Sequence, residues 1–174
     1  LGLIARHESR AVWQRESVLR ARPPGLLPLF GLATAALWAQ AVLGGLVSTN
    51  HASLVCPDWP TCNGDWFPPM LGLVALQMSH RFGAYILVAV LALIAWRSRG
   101  AADAPVRTMG TLLFLLVFAQ AVIGVASVRL GVPVWVSALH LANAAFMLAI
   151  SLVATFRLSV QPAPARAFAQ AVAR

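Results

Sequence analysis

Four long apolar runs, separated by more polar connections, dominate the chain. They occupy residues 26–47, 71–96, 109–128 and 134–156. Each reaches the length of about 20 residues that an α-helix needs to cross the hydrocarbon core of a bilayer. Because a bilayer offers the backbone no hydrogen-bond partners, consecutive spans of this kind fold as a helical bundle. The pattern therefore predicts an all-α, polytopic membrane protein with a four-helix transmembrane bundle.

Composition supports a membrane environment. Of the 174 residues, 60% are hydrophobic and only 10% are charged. Average soluble domains carry roughly 25% charged residues, so this chain has too little charge to cover a water-facing surface. An ordinary soluble domain is excluded.

The charges are distributed unevenly among the connections. All 13 basic residues are Arg, against five acidic residues, for a net charge of +8. Arg clusters at 1–25, 97–107 and 157–174, whereas connection 48–70 contains Asp58 and Asp65 and no Arg. The positive-inside rule places both termini in the cytoplasm and connection 48–70 outside a bacterial-type inner membrane. No basic stripe interleaved with aromatic residues is present, so we expect lipid and no nucleic acid as a partner.

This topology divides the chain into three regions. Residues 1–25 are expected to be a cytoplasmic basic segment, and residues 1–5 at its start are expected to be the end of an earlier apolar helix. Residues 26–158 form the bundle, with an outer loop at 48–70, and residues 159–174 form a disordered cytoplasmic tail.

The first and third spans repeat one hexad. It reads AQAVLG at 39–44 and AQAVIG at 119–124, and the span that follows each copy contains a single histidine, His80 or His140. The bundle is therefore predicted to consist of two repeated helical hairpins. The helix rise puts His80 about 14 Å and His140 about 10 Å from the outer ends of their spans, with Gln40 and Gln120 at about 12–15 Å.

Two histidines at one depth in a bundle can ligate a haem iron from both sides. The alternative is that each is an interhelical hydrogen-bonding residue. A zinc site is disfavoured because the layer contains no third or fourth ligand. We predict His80 and His140 as iron ligands, with Gln40 and Gln120 beside the cofactor.

Other polar residues near this layer have predicted roles. Arg81 and Arg129 are candidates to pair with haem propionates; the alternative for Arg129, which breaks the charge pattern, is snorkelling to lipid headgroups. Gln77 and Asn143, each three positions from a histidine, are candidates to orient the imidazoles.

The outer loop contains the only two cysteines, Cys56 and Cys62. Outside the cytoplasm disulfides persist, so a bridge between them is expected. It is either a structural staple or a redox-responsive pair.

Several of these motifs together resemble the haem A synthase family of cytochrome oxidase assembly proteins, over about 26–158. The resemblance rests on LGGLV at 43–47, CPDWPTCNG at 56–64, His80-Arg81, Gln120 with Gly124, and His140. Members usually have eight helices in two pseudo-symmetric halves. One half binds haem b, and the other oxidises the haem O methyl group to a formyl group.

The resemblance implies that this chain is one half of such an enzyme. The substrate half typically has Glu three residues before its first histidine, where this chain has Gln77. We therefore expect the haem b, electron-transfer half, with haem O as the substrate of the whole enzyme. The apparent helix end at 1–5 and the basic segment after it favour a C-terminal location in a longer synthase, whereas the Cys loop is associated in many bacterial members with the first half. A half-size homodimer is the competing arrangement. Implied partners are the missing half or a second copy, haem O synthase and oxidase assembly factors.

Three other functions remain open. One is a b-type membrane electron carrier without synthase activity, and another is a thiol–disulfide membrane oxidoreductase, a class that usually has a Cys-x-x-Cys motif or two cysteine pairs. The third is a structural assembly subunit. The electron carrier would contain the same haem, whereas the other two would not need the histidine layer.

Overall fold

The computed structural model describes residues 22–162. It contains four long helices: α1 (Leu26–Thr49), α2 (Gly72–Ser98), α3 (Ala104–Arg129) and α4 (Val134–Ser159). A one-turn 3₁₀ helix, Ala52–Leu54, lies in the connection between α1 and α2, and no β-strand occurs within 22–162. The predicted basic segment up to residue 21, the earlier helix end at 1–5 and the tail beyond residue 162 lie outside the described residues.

All four helices are long and apolar enough to cross a membrane. The prediction of an all-α four-helix membrane bundle is therefore confirmed. The largest difference in boundary is at α3, which begins at Ala104 instead of at residue 109. Pro105 lies in its first turn, where a missing N–H costs no helical hydrogen bond. Arg107 lies before the predicted apolar run but belongs to the helix.

The helices form a closed ring. Each packs against its neighbours in the chain, and α1 packs against α4. Helices α1 and α3 therefore face each other diagonally, as do α2 and α4. The four helices run alternately in opposite directions, so neighbours are antiparallel. We call the end that holds residues 22 and 162 the terminal end, and the end that holds connection 50–71 the loop end.

A continuous apolar core fills the half of the bundle nearer the terminal end. Its buried side chains recur every three or four residues on each helix, as expected for helix faces turned towards one axis. The core residues are Leu26, Phe30, Ala33, Leu37, Leu87, Leu91, Ile94, Ala101, Val106, Leu113, Val117, Met147, Ala154 and Leu158.

Polar contacts link the helices around this core. The Thr34 hydroxyl lies 2.7 Å from that of Ser151 and 3.1 Å from that of Thr155, which joins α1 to α4. Arg157 pairs with Asp103 at 3.2 Å, which joins α4 to the start of α3. Interhelical hydrogen bonds in lipid contribute about 0.6–2 kcal/mol each, so these contacts add to the stability of this half.

Helices α2 and α3 approach each other closely at Gly110. A Cβ atom at this position would overlap the hydroxyl of Ser98, a side chain that is fully buried and donates to Ala95 O. Small residues of this kind allow transmembrane helices to pack at short distance.

We predict that Gly110→Ala lowers the free energy of unfolding by about 1–3 kcal/mol, the usual cost of overpacking. Denaturant titration of the detergent-solubilised protein, followed by circular dichroism, measures it. Gly31→Ala is the matched control, because a Cβ there meets nothing within 4 Å and alanine favours the helix. Adding Ser98→Ala to Gly110→Ala should restore part of the loss. Equal stability of both single variants would contradict the close approach.

Candidate functional site

The apolar core stops halfway along the bundle, and a layer of small and polar residues continues its helix faces towards the loop end. The layer comprises Gln40, Gly44, His80, Gly83, Gln120, Gly124, His140 and Asn143. All eight are half-buried, although their spacing continues the fully buried faces of the core. The interior at this level therefore lacks the large apolar side chains that fill the other half.

In the first hairpin, a glutamine and a glycine of α1 contact the histidine of α2. Gln40 Nε2 donates to the backbone carbonyl of His80 at 2.7 Å and lies 3.0 Å from Nδ1 of its ring. The imidazole lies against Gly44, where a Cβ atom would come within 3.0 Å of Cε1. The ring can occupy this position because Gly44 has no side chain.

The second hairpin repeats these contacts. Gln120 Nε2 donates to the backbone carbonyl of His140 at 3.1 Å. A Cβ at Gly124 would lie 3.0 Å from Cε1 of the His140 ring. The repeated hexad thus produces a repeated helix–helix contact, in which each histidine is held at a glutamine and a glycine of the preceding helix.

In the part of the chain that the structure describes, the Nε2 atom of each ring is free of protein partners. Within residues 22–162, Nε2 of neither histidine takes part in a hydrogen bond, and Nδ1 of His140 is buried without a partner. The two histidines belong to α2 and α4, which face each other across the bundle. Diagonal helices can present imidazoles from opposite sides of the axis, which is the arrangement that ligates a haem iron axially.

The donor set fits haem better than a bare metal ion. Among residues 22–162, no group of three or more His, Cys, Asp or Glu side chains lies close enough to hold a metal. Structural zinc needs four such ligands, whereas haem iron needs only two axial ones. The glycines against the two rings and the missing apolar filling also suit a flat cofactor. The residues that would hold it are His80 and His140.

Arg81 anchors the outer loop to α2. Its side chain is 8% exposed, and the guanidinium donates to Cys56 O at 2.6 Å and to Thr61 O at 2.7 Å. Both carbonyls lie within the ring closed by the predicted disulfide, which is present between Cys56 and Cys62. Sequence reasoning missed this role because it considered Arg81 only as a partner of propionates.

The other predicted polar residues have these positions. Arg129 is exposed at the end of α3, and its pairing with a propionate, like that of Arg81, stays a prediction. Gln77 and Asn143 have partners other than the imidazoles. Gln77 Nε2 donates to Ser53 O at 3.3 Å, and Asn143 Nδ2 donates to Gln120 Oε1 at 2.7 Å.

A tight turn in the loop depends on Asp58. Its carboxylate accepts hydrogen bonds from the Thr61 hydroxyl and from the backbone N–H groups of Asn63 and Gly64. The bond from Thr61, followed by those from the backbone, holds the pKa of Asp58 well below its ordinary value. Asn63 and Gly64 adopt positive φ angles of 53° and 88°, which Asn and Gly tolerate. This turn was not predicted from the sequence, although an Asn-Gly pair is a sequence signal that could have identified it.

Comparison with known proteins relates the whole bundle to one family. The model of the cytochrome oxidase assembly protein family matches residues 2–152. Heme A synthase of Methylobacterium radiotolerans is 34% identical over 146 residues, which cover 75% of this chain and 39% of that protein. Heme A synthase of Caulobacter vibrioides is 35% identical over 130 residues (67% and 38%), and that of Methylobacterium nodulans is 35% identical over 148 residues (75% and 41%). The chain spans about two fifths of the length of these curated relatives.

We predict that Arg81→Lys loosens the outer loop. A lysine is a single point donor and cannot replace the fork that spans two carbonyls. Loss of one hydrogen bond from a charged group costs about 1.5–3 kcal/mol, so amide hydrogen exchange at 56–64 should accelerate by about 10-fold or more. Mass spectrometry measures the exchange. Arg129→Lys is the control, and an unchanged loop in Arg81→Lys would contradict the anchoring role.

We also predict a pH dependence of the turn. Because the pKa of Asp58 is lowered on folding, its stabilisation is complete above the ordinary value of 3.8 and is lost as pH falls through the lowered value. Asp58→Asn should therefore increase exchange at the Asn63 and Gly64 amides at pH 7, and the difference from the unmodified chain should shrink in strong acid. Asp65→Asn serves as control. A difference that stays constant down to the lowest pH would refute the assignment.

Proposed function

The chain belongs to the family of cytochrome oxidase assembly proteins, and on this premise we propose that it is the haem b-binding half of a haem A synthase, the enzyme that oxidises haem O to haem A. The observation that carries the proposal is the repeated contact of each histidine with a glutamine and a glycine. This contact presents one imidazole from each hairpin, on diagonal helices, in a layer without apolar filling.

In this proposal His80 and His140 are the residues that would hold the iron of haem b. When bound, this group would supply one-electron transfer for the oxidation of haem O. The protein residues have separate tasks: the two imidazoles hold the iron, Gly44 and Gly124 allow the rings to lie against the neighbouring helices, and the apolar core closes the site on one side.

The residue at position 77 supports an electron-transfer role for this half. Where the substrate half of the resembling family has Glu, this chain has Gln77, whose side chain is 4% exposed and whose amide donates to Ser53 O. A neutral amide cannot accept a proton as a carboxylate does. Oxidation of haem O therefore requires a partner half that contains the carboxylate, which a second copy of this chain, again with Gln77, would not supply.

The same neutral residue favours a second candidate. A b-type membrane cytochrome that only transfers electrons would need the same two histidines and no carboxylate. It differs from the synthase half in one measurable respect, because its loss would leave the haem A content of the cell unchanged.

The charge distribution supports the proposed orientation. Arg22, Arg97, Arg107 and Arg157 lie at the terminal end, whereas the connection at the loop end contains Asp58 and Asp65. By the positive-inside rule the terminal end is cytoplasmic and the disulfide loop is outside the inner membrane. In this orientation Arg129, at the end of α3, is available to outward-facing propionates.

The disulfide is proposed to be a structural staple. Cys56 and Cys62 are both fully buried and pack on Met78 of α2. Thiol–disulfide exchange requires access of an attacking thiolate to one sulfur, which this packing restricts. The burial of the pair favours the haem function over that of a thiol–disulfide oxidoreductase.

We predict that His80→Ala and His140→Ala each abolish the low-spin b-type spectrum of the detergent-purified chain, because each removes one of two axial ligands. A reduced-minus-oxidised visible spectrum measures this, with porphyrin extraction and mass analysis to identify the haem. His51→Ala, in the exposed loop, is the control and should retain the spectrum. Retention of the full spectrum by either ligand variant would refute the ligand assignment.

Deletion of the chain in its host tests the enzymatic part of the proposal. A fall in haem A with accumulation of haem O supports the synthase, whereas unchanged haem A with loss of a b-type signal supports the electron carrier.

A further inference from the structure

The two hairpins differ at one atom of their otherwise repeated contact. Gln40 Nε2 lies 3.0 Å from Nδ1 of His80, whereas Nδ1 of His140 is buried without a partner. The two glutamines have the same place in the repeated hexad, and each donates to a histidine carbonyl. The difference must therefore come from a neighbour of the glutamines.

The neighbour is the residue three positions after each histidine. In the second hairpin it is Asn143, which donates to Gln120 Oε1 at 2.7 Å and to Leu116 O at 3.1 Å. Gln120 is thus bound at both ends of its amide. In the first hairpin the equivalent residue is Gly83, and Gln40 Oε1 occupies the space that a Cβ at Gly83 would need. Among residues 22–162, no side chain donates a hydrogen bond to the oxygen of the Gln40 amide.

The orientation of the Gln40 amide follows from its partners. The His80 carbonyl can only accept a hydrogen bond, so the group facing it is the Gln40 NH₂, which also points to Nδ1. In this arrangement Nδ1 accepts a hydrogen bond from the Gln40 amide, so the proton of the neutral ring is on Nε2. A protonated Nε2 has no lone pair for iron.

For Nε2 of His80 to hold the iron of a haem, these roles would have to reverse. The Nε2 proton would be released to water and Nδ1 would take one up, so that the ring stays neutral. Nδ1–H would then need an acceptor, and half a turn of the Gln40 amide, with a small displacement away from the His80 carbonyl to which it no longer donates, would bring Oε1 to it. Gly83 leaves room for this turn, whereas Asn143 prevents it at Gln120.

We propose that Gln40 is a positioning residue that selects the tautomer of His80 by turning its amide. In the second hairpin, the hydrogen bond from Asn143 holds the Gln120 amide in one orientation, so Gln120 does not select the tautomer of His140. The two imidazoles are then inequivalent ligands. This inference rests on the proposed function for its haem part, but its tautomer part concerns the haem-free chain as well.

The first experiment uses the haem-free full-length chain in detergent micelles, with ¹⁵N-labelled histidine and NMR detection of the tautomer. His80 should carry its proton on Nε2, and Gln40→Leu should remove this preference. Asn143→Gly should free Gln120 to reach Nδ1 of His140 and give that ring the same preference, a gain that misfolding cannot imitate. A proton on Nδ1 of His80, or no response to Gln40→Leu, would overturn the proposal.

The second experiment uses the haem-loaded chain and compares Gln40→Leu with Gln120→Leu. Loss of the acceptor at Nδ1–H should weaken haem retention about 10- to 100-fold in Gln40→Leu. Gln120→Leu loses only the bond to the His140 carbonyl and should weaken retention by a clearly smaller factor. Gln40→Glu, a stronger acceptor, should shift the midpoint potential of the haem to lower values, while Gln120→Glu should not. Equal effects at the two positions would overturn the inequivalence. An unmodified chain without haem would refute the proposed function, and the NMR result would still decide the tautomer.

Discussion

The hydrogen bond from a glutamine side chain to the backbone carbonyl of the histidine on the next helix is the interaction on which the candidate site depends. Backbone carbonyls within a transmembrane helix already accept one hydrogen bond, and no water competes for their second lone pair. In the haem-free chain, the bonds from Gln40 to His80 O and from Gln120 to His140 O therefore fix the axial register of each hairpin. With the register fixed, each imidazole meets a glycine instead of a bulky side chain, and the two rings lie at corresponding levels.

The terminal half of the bundle contributes most of the packing that stabilises the fold, whereas the loop half contains the candidate site. The terminal half contains the continuous apolar core and the interhelical contacts of Thr34 and Asp103, so it can hold the helices together without help from the loop half. In the loop half the polar layer interrupts the apolar core, and beyond it the disulfide-bonded loop packs on Met78 and is attached to α2 by Arg81. The polar layer therefore lies between two regions in which the helices are fixed.

The helices, the repeat, the disulfide and the level of the glutamines and histidines could all be predicted from the sequence, because each depends on spacing along the chain. The partners of Arg81 and Gln77 could not. Counting residues gives depth in the membrane, but successive residues point about 100° apart around a helix. Arg81 therefore does not share a face with His80. It shares one with Gln77, four residues earlier, and both side chains donate to the outer loop. Which surface that face meets is decided by the packing of a 22-residue connection, for which the sequence offers no periodic signal.

Nearly every departure from the repeat falls on the first hairpin. Its connection forms the disulfide loop, whereas α3 and α4 are joined by a short turn at Leu130 to Pro133. The helix of His80 is thus held from outside by Arg81, while the amide that contacts its ring is bound only at its nitrogen. The helix of His140 has no such loop, and its glutamine is bound at both ends by Asn143 and the histidine carbonyl. The first hairpin is therefore held through its helix backbone, and the second through the side chains beside its histidine. As a result, two copies of one sequence motif present chemically different imidazoles to the same layer.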